Sequence, residues 1–345
     1  IYNEDFLSQI WEIGVKDFGW NDRTDLANAG VFGEYTFKAG EKFSSIVGVR
    51  GDWFYNHGFK VSPRVTLKYM PVDEIVIRAN GGRGLRYSTP LVDNIGVFST
   101  GKDFLGAYDQ HILEDAWTFG GNLTYYMPFG ASSNTYLSFD YFRTQFAQQM
   151  VVDYEHTPQA IFFYALNDNR SYTDNFQLDF SIDPIERFNI TATFRYTNAM
   201  IELDGKGLVE KPMTSRFKGV LNLQYATNLN KWIFDFTASL NGSSRVYNFM
   251  ENMKDKDGNL MYKNGRTPVY PMLYAQVTRR FKGWDVYLGA ENLTNFRQEQ
   301  VLIGPVDPAT GLVNPRMKSF DASCIWGPLM GIKAHVGFRF TLWKK

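Results

Sequence analysis

The sequence predicts an all-β protein, a transmembrane antiparallel up-and-down β-barrel, and three observations favour this fold. Apolar and polar residues alternate along most of the chain, which is the period of a strand with two unlike faces. Several alternating runs reach the ~9–11 residues that a tilted strand needs to cross a bilayer, whereas strands of soluble proteins peak at ~5–6 residues. The connections between the runs are short and long in turn, as in barrels with short turns at one rim and long loops at the other.

The composition is compatible with this fold and excludes other classes. The chain has 345 residues, with 36 Lys plus Arg against 36 Asp plus Glu, so no basic footprint points to a nucleic acid partner. Mean hydropathy is −0.30, and no uncharged apolar run approaches the ~18 residues of a membrane-spanning helix. The single cysteine, Cys324, excludes a disulfide scaffold. Aromatic residues make up 17% of the chain, a share that a lipid-facing wall with aromatic girdles explains.

The alternation is clearest in the run 175–183. Phe176 and Leu178 lie on one face of this run, and Gln177 and Asp179 lie on the other. Alternation of this kind predicts strands at 45–55, 64–70, 117–127, 175–183, 187–197, 217–225, 232–241, 273–281 and 332–342.

The lengths of the connections separate a barrel from a soluble β-sandwich, which also alternates. Short turns are predicted at 39–42, 71–73, 129–133, 184–186, 227–230 and 282–283. Between them lie the outer connections 20–30, 57–60, 81–116, 147–173, 199–214, 243–268 and 294–330, of which only 57–60 is short. A sandwich does not predict this order. The runs number about thirteen strands, or about fourteen with a further strand at 7–19, and the even number is favoured because bacterial single-chain barrels have even counts.

Three segments follow one another in the order of a known family's motifs. They are Gly48-Val-Arg-Gly-Asp52 with Ser62-Pro-Arg64 and Arg78-Ala-Asn-Gly-Gly-Arg-Gly-Leu-Arg86; Gly289-Ala-Glu-Asn-Leu-Thr-Asn-Phe296; and Trp326-Gly-Pro-Leu-Met-Gly331 with Gly337-Phe-Arg-Phe-Thr-Leu342. Together they resemble the TonB-dependent outer-membrane receptors, in the form common in Bacteroidota. The resemblance implies a barrel of about 22 strands with an N-terminal plug inside it. We therefore expect residues 1–345 to be the C-terminal portion of one transmembrane β-barrel domain, with about 14 of its strands and without the plug.

The polar face of the predicted strands would line the lumen of such a barrel. The residues expected there, facing the plug in a complete receptor, are Arg50, Asp52, Arg78, Arg195 and Glu291. The resemblance implies that this lining holds the plug by hydrogen bonds and ion pairs. Solvated lumen charge with no specific partner is the alternative for each residue.

The predicted outer connections hold the candidates for binding a small molecule. These are His57, His111, His156, Tyr154, Tyr164 and Tyr172. The histidines suit haem or a metal ion, and the tyrosines suit a siderophore or a sugar, with loop packing as the alternative for all. Met250, Met253 and Met261 share one connection, and thioethers suit Cu(I), but their spacing and that of the histidines define no ligand set. We predict neither a metal site nor a cofactor.

The resemblance implies active import into a bacterium. The expected partners are the TonB complex, acting through the N-terminal part of the receptor, the outer-membrane lipid and a small-molecule nutrient, with a surface lipoprotein as a further candidate. The expected location is the bacterial outer membrane, with the C-terminus in the periplasm. Ferric siderophore is the favoured cargo, followed by haem, cobalamin, copper or a glycan.

Other functions remain open at this point. The chain could be a complete 14-stranded passive channel, or a soluble β-protein with a binding or structural role. No enzyme is expected, because no nucleophile, base and orienting group recur with a usable spacing.

Overall fold

The computed structural model describes residues 2–7, 21–131, 135–157, 159–167, 170–254, 258–298 and 321–342. These residues form eighteen strands: β1 (Tyr2–Leu7), β2 (Asn21–Leu26), β3 (Asn28–Ala39), β4 (Phe43–Phe54), β5 (Gly58–Tyr69), β6 (Ile75–Tyr87), β7 (Asp103–Gly106), β8 (Leu113–Tyr126), β9 (Tyr136–Thr157), β10 (Ala160–Leu166), β11 (Tyr172–Ile185), β12 (Phe188–Leu203), β13 (Gly207–Glu210), β14 (Phe217–Ala226), β15 (Trp232–Asn241), β16 (Tyr270–Arg280), β17 (Trp284–Glu291) and β18 (Lys333–Phe340).

Helices contribute little to the described part of the chain. The one-turn α-helix α1 spans Pro90–Asp93, and short 3₁₀ segments span Ile95–Ser99, Asn228–Asn230, Asn248–Met250, Lys263–Gly265 and Ala322–Cys324. None of these helices is long and apolar enough to cross a membrane.

Thirteen strands form one antiparallel meander. Its order is β3-β4-β5-β6-β8-β9-β11-β12-β14-β15-β16-β17-β18, so that each strand pairs with the next long strand along the chain. β10 pairs with β9 and β7, and β13 pairs with β12, while β1 and β2 form a separate two-stranded sheet. The up-and-down antiparallel order is therefore as predicted. The strand predicted at 7–19 lies, apart from its first residue, outside the described residues.

The short turns lie where the alternation predicts them, but the outer connections contain more strand than predicted. β9 runs 22 residues, to Thr157, and β6 runs to Tyr87. The predicted connection 20–30 is wrong, because β2 and the start of β3 occupy it. At the outer end of β9 the buried face carries Asp153 and Glu155 as well as Val151, so polarity no longer marks the exposed face and the alternation fails there.

Each long strand has one apolar and one polar face. Leu178 of β11 lies opposite Phe194 of β12, and both are more than two-fifths exposed. One position along, Gln177 lies opposite Arg195. We call the face of Leu178 and Phe194 the apolar face and the face of Gln177 and Arg195 the polar face. The strand pairing carries these two faces from β3 to β18, with one register shift between β8 and β9 and one between β11 and β12.

The apolar face ends in exposed aromatic residues at both rims. Trp53 lies near the outer end of β4, and Trp232 starts β15 directly after a short turn. Each exposes two-fifths or more of its surface, and the guanidinium of Arg279 lies 4.8 Å from the Trp232 ring centroid. Amphipathic rings at both rims are typical of the two interfaces of a membrane barrel.

The sheet curves so that distant connections meet. Lys102, in the connection before β8, lies 3.0 Å from Asp321, in the connection before β18. Eight strand spacings separate these connections, which is about 38 Å across a flat sheet. Among the described residues β3 and β18 do not pair with each other, so the sheet is an open section of a barrel.

The two faces predict opposite effects of a new charge at neighbouring positions of β12. Phe194→Arg places a guanidinium on the apolar face and is expected to cost about 2–4 kcal/mol if that face meets lipid. Thr193→Arg places the same group on the polar face beside Asp179, to which the Thr193 hydroxyl donates at 2.6 Å, and should be tolerated. The folded fraction in membranes of producing cells, read from heat-dependent gel mobility, measures both. Equal tolerance of the two variants would contradict a lipid-facing apolar face.

Candidate functional site

All five residues predicted to line the lumen lie on the polar face. Arg50 donates from two nitrogens to the two carboxylate oxygens of Asp52, both at 2.7 Å. Asp52 is buried, and a Cβ at Gly30 of the neighbouring strand would lie 2.0 Å from its Oδ1, so glycine there leaves room for the carboxylate. Arg78 donates to Asn122 across β6 and β8 at 3.0 Å.

The other two members lie opposite charged residues of neighbouring strands. Arg195 is in register with Gln177 on one side and Lys218 on the other, and Glu291 is in register with Lys333. The five residues therefore do not converge on a single point. They are spread over a wall that extends from β4 to β17.

Basic and acidic residues lie in separate regions of this polar face. Strands β4, β5 and β6 carry six bases on it, namely Arg50, Lys60, Arg64, Lys68, Arg78 and Arg86. Asp52 is the only acid on that face of the same three strands. Strands β8, β9 and β11 carry Glu114, Asp140, Asp179 and Asp183 there and no Lys or Arg. A basic wall therefore adjoins an acidic one, and a ligand in contact with both would be held in one orientation.

The acidic side is linked by hydrogen bonds between strands. Asn122 donates to Ser138 at 2.7 Å and to Asp140 at 2.9 Å. Further along the meander, Gln224 donates to Asp235 at 2.7 Å. Such links hold the polar side chains in fixed positions on a surface that water can reach.

The outer connections pack into a second feature, which we call the outer cap. It comprises the described parts of 88–112, 158–171, 204–216, 242–269 and 292–332 together with the outer end of β9. One buried apolar cluster contains Leu91, Val97, Ile161 and Phe163, and a second contains Val246, Tyr247, Met250, Tyr262 and Cys324. Tyr154 of β9 packs against both clusters and joins them.

Glu155 ties three parts of the outer cap together. Its side chain is fully buried and accepts two hydrogen bonds from the Arg245 guanidinium, at 2.9 and 2.6 Å. The backbone N–H of Asn248 donates to it at 2.8 Å, and Lys206 Nζ lies 4.0 Å away. Because both oxygens are paired, the carboxylate tolerates its burial.

Glu210, at the end of β13, is the second carboxylate that gathers cations. Arg216 donates to its two oxygens at 3.0 and 2.6 Å, and Arg266 donates to them at 2.9 Å each. Burial alone would raise the pKa of Glu210, but the hydrogen bonds from Arg266 and Arg216 outweigh it, and the pKa lies below its ordinary value. Glu210 therefore stays ionised at neutral pH, and its contribution to the cap is lost only as pH falls through that lowered pKa.

Lys102 and Asp321 form the third charged contact of the cap, and both side chains are buried. The aromatic rings of Tyr154, Tyr247 and Phe249 surround the Lys102 ammonium. This contact joins the connection between β6 and β8 to the connection between β17 and β18.

The histidines predicted as ligands do not assemble into a metal site. His57 Nε2 lies 3.3 Å from the carbonyl oxygen of His111, whose own Nδ1 lies 2.8 Å from the carbonyl oxygen of Ser88. His156 packs against the ring of Phe162 with centroids 4.7 Å apart. In the part of the chain that the structure describes, no group of three or more His, Cys, Asp or Glu could hold a metal ion.

The tyrosines predicted to bind cargo lie on strands at the outer rim rather than in irregular loops. Tyr154 stacks on Tyr247 with centroids 5.5 Å apart, and the Tyr164 hydroxyl accepts a hydrogen bond from the backbone N–H of Asp204 at 3.0 Å. The Tyr172 ring lies 4.0 Å from the guanidinium of Arg143. The Tyr172 side chain lies on the apolar face of β11, because the odd-numbered residues of this strand, such as Gln177, lie on the polar face.

The three loop methionines share the second apolar cluster. Met250 is fully buried, and Met253 and Met261 pack beside it with Cys324 and Trp326. These contacts favour packing over metal binding for the methionines. Burial first, and then the charge of Asp321, raise the pKa of the Cys324 thiol to about 12.

Sequence reasoning missed the charged residues that hold the cap. Glu155 and Asp153 were a detectable signal, since they interrupt an apolar segment that begins at Met150. Their partners were not detectable, because Arg245 lies 90 residues further along the chain.

Removing the partner of Glu155 should loosen the outer cap. Arg245→Ala leaves a fully buried carboxylate without its two strongest donors and is expected to cost about 3–5 kcal/mol locally. Amide hydrogen exchange at Asn248, which donates to Glu155, measures the loss. Arg187→Ala is the matched control, because Arg187 pairs with Glu186 at an exposed turn, where about 0–1 kcal/mol is expected. Unchanged exchange in Arg245→Ala would refute the role of Glu155.

The raised pKa of Cys324 predicts an inert thiol. With a pKa of about 12, the reactive thiolate is a fraction of about 10⁻⁴ at pH 8, so a maleimide should leave the native protein unlabelled. Labelling should stay negligible between pH 7 and 9 and appear once denaturant unfolds the protein. Cys324 is the only cysteine of residues 1–345, so within this chain the label reports on this site alone. Native labelling at the rate of a free thiol would show that the cap is open.

Solved structures share this architecture at low sequence identity. A mutant of the ferric enterobactin receptor PfeA from Pseudomonas aeruginosa aligns with a TM-score of 0.60 at 12% identity, over 97% of this chain and 47% of that one. The siderophore receptor PirA from Acinetobacter baumannii aligns with a TM-score of 0.59 at 11% identity, over 95% and 47%. The siderophore receptor PiuA from the same organism gives 0.54 at 15% identity, over 79% and 39%.

These alignments confirm the predicted fold class. At such identities they show the fold alone, and the chain spans about half the length of the receptors or less. No curated protein sequence matches the chain. A family model described as TonB dependent receptor-like, beta-barrel, matches residues 2–293. That match covers most of the chain and agrees with the antiparallel meander. The chain therefore belongs to the TonB-dependent receptor-like β-barrel family, whose members are outer-membrane β-barrel proteins.

Proposed function

We propose that this chain forms part of the wall and outer cap of an active importer, which takes up a scarce nutrient across the bacterial outer membrane in a TonB-dependent manner. The observation that carries the proposal is the two-faced meander matched by the family model. Its apolar face suits lipid, and its polar face suits a wet lumen. The TonB complex would act through the N-terminal part of a complete receptor, and a surface lipoprotein could contact the outer cap.

The polar face would meet the plug in such a receptor. Arg50, Asp52, Arg78, Arg195 and Glu291 would then form hydrogen bonds and ion pairs that break when the plug moves. The spread of these residues from β4 to β17 supports contact with a large partner rather than with one small molecule.

Ferric siderophore is the favoured cargo. The solved structures of similar fold include a ferric enterobactin receptor and siderophore receptors, which supports this substrate class. Six bases on the polar face of β4–β6 also suit an anionic cargo. Haem, cobalamin, copper or a glycan remains an alternative.

We propose an orientation of the chain in the membrane on the basis of the last hairpin. Phe340 of β18 pairs with Trp284, which directly follows the short turn at 281–283. The described chain thus ends at the rim of short turns. In outer-membrane barrels that rim faces the periplasm, which supports a periplasmic C-terminus.

The alternative of a complete 14-stranded passive channel needs a closed sheet. The described strands β3 and β18 do not pair, and this open arrangement gives the alternative less support.

Uptake of a radiolabelled ferric siderophore by cells tests the proposal. Deletion of the gene should abolish growth on at least one ferric siderophore as sole iron source, and deletion of the gene for TonB should abolish uptake through the intact receptor. A passive channel would continue to transport without TonB, because diffusion needs no energy. Unimpaired growth on every ferric siderophore would remove this cargo, and TonB-independent uptake would contradict active import.

A further inference from the structure

The outer cap contains an aromatic cage around one ammonium group. Lys102 Nζ lies 4.7 Å from the ring centroid of Phe249 and 5.8 Å from those of Tyr154 and Tyr247. All three distances fall within the ~6 Å over which a cation is attracted to an aromatic face. The Lys102 side chain is 0% exposed, so no bulk water screens the attraction.

A carboxylate completes the surroundings of the ammonium. Asp321 Oδ2 lies 3.0 Å from Lys102 Nζ. The other oxygen, Oδ1, accepts hydrogen bonds from the backbone N–H of Ser323 at 2.9 Å and from its hydroxyl at 2.6 Å. These bonds fix the orientation of the carboxylate at the start of the 3₁₀ segment Ala322–Cys324. We call Tyr154, Tyr247, Phe249 and Asp321 the cage.

The ammonium is held by charge and by rings rather than by hydrogen bonds. Lys102 Nζ is buried and lies 3.0 Å from Asp321 Oδ2, but none of the described residues accepts a hydrogen bond from it. An ammonium normally donates three hydrogen bonds. By contrast, Arg245 satisfies the buried Glu155 through two direct bonds. The surroundings of the Lys102 ammonium, which are aromatic rings and one carboxylate, therefore resemble a binding site for an organic cation.

The cage has the chemistry of a cation site. Aromatic faces with a carboxylate recognise alkylated ammonium groups, because the rings accept the methylenes as well as the charge. Burial raises the pKa of Tyr154 to about 12, with a further contribution from Asp321, so its hydroxyl stays neutral and adds no charge of its own.

We infer that the cage is a binding site for a primary alkylammonium group, in which the chain's own Lys102 sits as an intramolecular ligand. Lys102 comes from the connection 88–112, whereas the cage comes from β9, from 242–269 and from the segment before β18. Occupancy by Lys102 therefore closes the outer cap. In the proposed importer, and resting on that function, a cargo with a terminal amine would displace Lys102 and release 88–112 from the cap.

Chemical rescue of an emptied cage tests the inference in the full protein, held in the membranes of producing cells. Lys102→Ala removes the ammonium and leaves Asp321 buried without its cation, so maleimide labelling of Cys324 should accelerate about a hundredfold or more. Cys324 is suited to report, because its Sγ lies 3.5 Å from Asp321 Oδ2. Propylammonium, which replaces the deleted atoms, should restore protection, and 1-propanol should not.

Two further variants give the test its controls. Lys206→Ala removes a lysine that lies 4.0 Å from Glu155 and is partly exposed, so propylammonium should leave its Cys324 labelling unchanged. Asp321→Asn keeps the size of the side chain, so this variant is expected to fold even if Lys102→Ala fails to fold. It should expose Cys324, and propylammonium should fail to restore protection.

Two outcomes would overturn the inference. One is equal rescue of Lys102→Ala by propylammonium and 1-propanol, which would mean that the cage only fills space. The other is full protection of Cys324 in Asp321→Asn, which would mean that the charge does not hold the cap. The assay uses neither cargo nor TonB, so its failure leaves the import proposal standing, and failure of import leaves the cage standing.

Discussion

A strand in hydrocarbon can leave no backbone N–H or carbonyl unpaired, and the rest of the structure depends on this constraint. Between β3 and β18 the meander meets it by pairing each long strand with the next one along the chain, whereas the outer edges of these two strands have no such partner among the described residues. Once the ladder is fixed, side chains must alternate between its two sides, so lipid and water select opposite residue types at successive positions. Leu178 opposite Phe194 and Gln177 opposite Arg195 are one consequence of that single register.

The same constraint explains why the wall and the cap are held by different forces. In the wall, the ladder leaves polar side chains free to form links such as Asn122 to Asp140 on one face. Beyond the bilayer, the connections have no continuous ladder, and their cohesion comes from buried apolar clusters and from carboxylates that gather cations. Glu155 and Glu210 each bind guanidinium groups from other parts of the chain, so the cap depends on contacts of long sequence separation.

This difference between the wall and the cap also determines which features can be predicted from the sequence. The fold class, the turns and the strands of the wall were predictable, because alternation is a local pattern. The polarity of each residue in it indicates whether that residue faces lipid or water. The outer end of β9 was not, since Asp153 and Glu155 are buried by partners that no local pattern encodes. For the same reason the sequence could assign the candidate histidines and tyrosines to outer connections, but it could not predict their contacts. Tyr154 reads as a surface aromatic in the sequence, and only the fold brings it beside Tyr247 and Lys102.

Glu155, Glu210 and Asp321 differ in how many hydrogen bonds their cations donate, and this difference predicts which contact of the cap opens first. Arg245 and Arg266 donate paired hydrogen bonds to Glu155 and Glu210, so separating them forfeits several strong bonds at once. The Lys102 ammonium loses its ion pair with Asp321 but no hydrogen bond to any described residue, and it regains its hydration on exposure. Opening should therefore begin between 88–112 and the segment before β18, while 204–216 and 242–269 stay together. That order places the movable contact between the connection that precedes β8 and the connection that precedes β18.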